Sequence, residues 1–142
     1  MRSRTGGSDS RFVDPSSERS FNLEDLVPTA HPLRGIDRFL DLSDLRRHLA
    51  SFYSHTGRPS IDPELMIRML IVGYCFGIRS ERRLCEEVKL NLAYRWFCRL
   101  NLEDAVPEHS TFSKNRHGRF RASGAFRGYS MRSCAAAWPL VW

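Results

Sequence analysis

Residues 62–77 constrain the fold more than any other part of the chain. They begin Asp62-Pro63-Glu64, continue through Leu65, Met66, Ile67, Met69, Leu70, Ile71, Val72 and Phe76, and close on Gly77. Asp62 is a capping carboxylate, Pro63 suits the first helical position, and Glu64 lies at the positive end of the helix dipole. The spacing predicts a helix over residues 63–76 that stops at Gly77. Its apolar side chains point nearly all round, so other elements must cover it on every side. No alternating apolar–polar stretch offers a sheet for that purpose. The expected fold class is therefore all-α, a compact multi-helix domain built around this helix.

The covering helices are legible from their caps. Ser43 precedes Leu45, Leu49, Phe52 and Tyr53, one face of a helix ending near Ser54, and Thr56-Gly57-Arg58-Pro59 makes a turn. Ser80 is placed to cap a helix over residues 81–88, with Leu84 and Val88 inward. Asn91 is placed to cap another over residues 92–100, with Leu92, Ala93, Trp96, Phe97 and Leu100 on one stripe. The intervening Lys89-Leu90-Asn91 has the length of a helix-turn-helix connection, although the mixed charges of both faces also fit plain helix packing. Residues 101–109 form a polar loop, and Ser110 caps a last helix over residues 110–121. Residues 23–37, with Pro28 and Pro32, read as an extended arm held by a few apolar anchors. Residues 1–20 have almost nothing to bury and read as a disordered leader.

Charge is divided unevenly along the 142 residues. The total is 22 Lys+Arg against 16 Asp+Glu, a net +6. No acid follows Glu108, and Lys114, Arg116, Arg119, Arg121, Arg127 and Arg132 supply the whole excess. A uniformly basic coat protein is excluded; a balanced domain with a cationic end suggests a polyanion partner. On a helical wheel, Phe112 and Phe120 define an inward face of the last helix, with Arg116 between them. Thr111, Lys114, Gly118 and Arg121 point outward, flanked by Asn115 and His117. Arg and Lys suit phosphates and guanine, and Asn suits adenine. The candidate DNA-contact residues are Ser110, Thr111, Lys114, Asn115, Arg116, Arg119 and Arg121, with Arg82 and Arg83 as secondary phosphate contacts. The alternative is an ordinary solvated helix; Arg116, semi-buried, either pairs with an acid from another helix or reaches a phosphate.

Other classes find little support. Cys75, Cys85, Cys98 and Cys134 lack the C-x₂-C spacing of a zinc knuckle, and the five histidines show no paired spacing. No metal site and no cofactor are expected. No phosphate-binding loop, nucleophile elbow, dinucleotide fingerprint or zinc-protease motif occurs. Ser110 after His109 is better explained as a cap than as a nucleophile, so no catalytic residue is assigned. The longest uncharged apolar run, residues 69–78, is far short of the ~20 residues a membrane span needs. With no secretory pattern at the start, the expectation is a cytoplasmic chain with reduced thiols.

Five stretches in order then resemble the InsH-type N-terminal domain of bacterial insertion-sequence transposases, of the DDE transposase family. They are Leu26-Val27-Pro28 with His31-Pro32-Leu33-Arg34 and Ile36-Asp37; Thr56-Gly57-Arg58-Pro59-Ser60-Ile61-Asp62-Pro63; Gly73-Tyr74 through Gly77-Ile78-Arg79-Ser80-Glu81-Arg82; Tyr94-Arg95-Trp96-Phe97; and Pro107-Glu108-His109-Ser110-Thr111-Phe112-Ser113. The resemblance covers residues 21–127. It implies a helical domain that helps bind the double-stranded terminal inverted repeats of an element. It also implies a separate ribonuclease-H-like domain, whose three acids hold two divalent ions for strand cleavage and transfer. That domain has no counterpart here, so this chain alone is not expected to be an enzyme. Residues 128–142 match nothing in the family pattern. They suggest a gene truncated or frameshifted near codon 128, the alternative being a genuine short variant. Such a chain would occupy element ends or mix with a full-length transposase and inhibit it. No membrane and no small-molecule substrate are expected as partners. A stand-alone helix-turn-helix regulator and a helical interaction module without a DNA role are the competing functions.

Overall fold

A computed structural model describes residues 21–50, 61–119, 121 and 124. The proposed leader, Phe52 and Tyr53, the turn at Thr56–Pro59, Phe120, Arg127 and the tail from residue 128 lie outside the described residues. Among those described, seven α-helices and no strand are present. They are α1 (Leu23–Leu26), α2 (Pro32–Phe39), α3 (Leu45–Leu49), α4 (Pro63–Cys75), α5 (Glu81–Leu90), α6 (Leu92–Phe97) and α7 (His109–Lys114). A π-helical turn, Asn115–Arg119, continues α7.

Helix α4 is the centre, as its all-round apolar pattern requires. Asp62 caps it by accepting from the Glu64 N–H, with Pro63 at the first position. Met66, Ile67, Met69, Ile71 and Val72 are fully buried. Helices α3, α5 and α6 pack on it, contributing Leu45 and Leu49, Leu84 and Val88, and Phe97 to one apolar core. Gly77 stops the helix at φ +67°, a left-handed conformation that a Cβ disfavours. The chain then turns back so that the Ile78 N–H donates to the Gly73 carbonyl at 2.8 Å. Gly73 permits that approach. A Cβ there would lie 3.3 Å from the Ile78 oxygen and 3.4 Å from a Leu84 methyl.

Residues 23–37 are two short helices joined by a turn, not an extended arm. Asn22 caps α1 by accepting from the Glu24 N–H at 3.0 Å, and the His31 ring Nδ1 caps α2 by accepting from Leu33 N–H at 3.2 Å. Pro32 begins α2, where its missing N–H leaves no bond unmade. Leu33 and Ile36 are thereby buried against the core.

Three helix boundaries also differ from expectation. Ser43 does not cap α3: it bonds back to Asp41, and Asp44 occupies the cap position. Lys89 and Leu90 complete the last turn of α5, so Asn91 alone joins α5 to α6, where a three-residue turn was expected. Asn91 serves both ends. Its N–H donates to the Glu87 carbonyl, and its Oδ1 accepts from the Ala93 and Tyr94 N–H groups at 2.9 and 3.3 Å. Finally, α6 ends at Phe97, three residues early, with Arg99 in the left-handed region at φ +59°.

Candidate nucleic-acid interface

Helix α7 starts one residue before its expected cap. The Glu108 carbonyl already accepts from Phe112 N–H at 2.9 Å, so Ser110 falls inside the first turn and stays exposed. Phe112, fully buried, fastens the segment to the core, and α7 packs against α5.

Beyond Phe112 not every side chain keeps its expected face. Asn115, expected on the outward face, is buried, and its Nδ2 donates to the Thr111 carbonyl at 2.8 Å. Asn115 follows the buried Phe112 by three residues, on the same side of the helix, whereas the outward placing takes Phe120 as the second inward anchor. Arg116 takes the first of its two expected alternatives: Nη1 donates to Glu81 Oε1 at 2.8 Å. His117 Nε2 lies 3.1 Å from the same oxygen. Glu81 is the first residue of α5, where the helix dipole favours an anion. Burial opposes its charge, but hydrogen bonds from Ser113 and Arg116 and the charges of Arg116 and His117 outweigh it. The carboxyl consequently titrates below its ordinary value.

Thr111 is half-buried, while Lys114 and Arg121 are exposed and form no ion pair among the described residues. Arg119 lies in the π-turn. Arg82 and Arg83 are exposed, each paired one turn along α5: Arg82 to Glu86 at 3.2 Å and Arg83 to Glu87 at 3.4 Å. Such surface pairs are worth only about 0.3–0.5 kcal/mol, so a phosphate can displace either acid. One cation escaped the sequence reading. Arg79, exposed and without an ion pair among the described residues, lines a groove of about 430 Å³ with Tyr74, Ile78, Glu81, Leu84 and Arg116. Its position just before the Ser80 cap, at the start of α5, was the available signal.

Among the described residues, no group of three or more His, Cys, Asp or Glu side chains is placed to hold a metal ion. No helix among them is long and apolar enough to cross a membrane. Cys85 and Cys98 are buried, and burial pushes their thiols up to about 11 and about 12.

No curated protein and no solved structure matches the chain. Residues 21–118, about two-thirds of its length, match the family described as "Transposase domain (DUF772)". The match begins just before α1 and ends inside the π-turn, so it takes in every described helix. A helical chain matched over that span belongs to the DUF772 transposase-domain family, and its role is accordingly related to transposition.

Proposed function

We propose that α7 with its π-turn is a duplex-DNA contact, and that the domain helps recognise the terminal inverted repeats of an insertion element. The observation that carries this reading is the pair Lys114 and Arg121. Both are exposed and lack an acid partner among the described residues; Lys114 ends a helix fastened by Phe112 and followed by the Arg116–Glu81 pair, and Arg121 lies two residues beyond the π-turn. A rigid mount with free cations suits a phosphate backbone, which rewards positioned charge. Ser110 and Thr111 stand at the start of the same helix, close enough in sequence to share its approach to the duplex. Arg82 and Arg83 add phosphate contacts by giving up Glu86 and Glu87.

In this reading the domain binds, and cleavage and strand transfer belong to a ribonuclease-H-like domain with its own acids and divalent ions. A full-length transposase would share the same DNA ends and is the natural protein partner. Fluorescence-anisotropy titration against the inverted repeats flanking the coding sequence, and against a scrambled duplex, tests the proposal. Tighter binding to the repeats supports it. Preference for a promoter palindrome points to a regulator, and absence of binding to any duplex overturns the DNA reading.

A further inference from the structure

The basic α7 segment is partly neutralised by a single acid from a neighbouring helix. Arg116 and His117 converge on Glu81 Oε1. This arrangement is unlike the pairs one turn along on α5. The Arg82 and Arg83 side chains are 74% and 70% exposed, whereas Glu81 is 18% exposed and Arg116 32%. Poor solvation strengthens an ion pair that stays hydrogen-bonded, so a passing phosphate does not easily take Arg116 from Glu81.

We infer that Glu81 determines specificity by holding Arg116 on the protein, so that non-specific duplex meets Lys114 and Arg121 but not Arg116. The inference rests on the DNA-binding reading above. Phosphate contacts raise affinity for every sequence alike, and each cation withheld from them lowers the non-specific background. The same clamp joins α5 to the α7 segment and holds that segment in one orientation for base contacts.

The test uses the full chain and two variants, Glu81→Gln and Arg116→Gln, titrated with a mixed-sequence duplex and with the flanking inverted repeat across a salt series. Glutamine keeps the size of Glu81 and an acceptor oxygen but removes the charge that holds Arg116. Glu81→Gln is expected to steepen the log–log salt slope on the mixed duplex by about 0.9 for the freed Arg116. It should also tighten that duplex more than the repeat, which narrows discrimination. Arg116→Gln is expected to leave the mixed-duplex slope at the wild-type value, because Arg116 meets no phosphate there. An unchanged or shallower slope in Glu81→Gln overturns the inference, as does a slope about 0.9 shallower in Arg116→Gln. Wild-type protein that binds neither duplex overturns the DNA reading itself, a result distinct from both.

Discussion

Arg68 sits within the most apolar helix of the molecule with 6% of its side chain exposed. Its Nη1 donates to Asp37 at 2.7 Å and to the Phe97 carbonyl at 3.0 Å, while Nε donates to Glu64 at 3.1 Å. Asp37 also takes Arg99 at 2.9 Å, so one carboxylate links α2, α4 and the end of α6. Arg95 is buried in a similar way, donating to the carbonyls of Asn101, Leu102 and Asp104 and closing the loop after α6. Around Trp96, Arg34 and Arg99 stand over the ring at 4.7 and 5.9 Å, and its N–H donates to Glu24. Four of the arginines before Glu108, Arg34, Arg68, Arg95 and Arg99, therefore hold the fold together. Asp37→Asn should cost about 2 kcal/mol, the scale of a charge-assisted hydrogen bond, and not more, because Glu64 still faces Arg68. Urea unfolding with an unchanged m-value checks this; a loss below half that size would mean the buried arginine does not depend on Asp37.

The thiols give a second prediction at this scale. Cys85 and Cys98 fold as neutral groups, with values raised by burial from 9.0 to about 11 and about 12. A raised thiol value favours the folded state fully below pH 9 and loses that contribution as pH climbs toward 11 and beyond. Native protein at neutral pH should accordingly leave both peptides unalkylated by iodoacetamide in a mass-spectrometric readout. Rapid labelling of either one before unfolding would contradict their buried placement.

At the scale of elements, the caps divide what spacing reveals from what it hides. Asp62, Ser80 and Asn91 cap helices as their positions suggested, because each precedes an apolar period with a side chain that reaches a free N–H. The errors have separate causes. Pro28 and Pro32 looked like breakers, yet a proline also starts a helix, and burial of Leu33 and Ile36 decides between the two. The outward placing of Asn115 failed because burial of Phe112 three residues earlier, not the pairing of Phe112 with Phe120, sets the inward side of α7. Asn91 is the sole link between α5 and α6, and Asn91→Ala should destabilise the domain by about 1 kcal/mol, the usual loss at an N-cap. Thermal unfolding monitored by circular dichroism would show it, and an unshifted midpoint would mean that the cap bonds contribute nothing.

For the molecule as a whole, the central helix and the all-α class were legible because an all-round apolar pattern admits few partners. The partners in the ion pairs were not, although pairing of Arg116 with an acid from another helix was one of its two expected alternatives. Arg68 and Asp37 lie 31 residues apart, and Arg116 and Glu81 lie 35 apart, distances that only the packing of α2, α5 and α7 brings together. Those pairings change the meaning of the positive end of the chain. Arg116 answers to an internal acid, and under the proposed function the DNA-facing charge rests on Lys114 and Arg121, supported by Arg82 and Arg83. The most direct measurement is the salt dependence of binding to the flanking inverted repeats for wild-type chain and for Lys114→Ala/Arg121→Ala. Both positions are exposed, so the variant should keep its helical circular dichroism. The account predicts a slope shallower by about 1.8, some 0.9 for each phosphate contact removed. An unchanged slope in a folded double variant would contradict it.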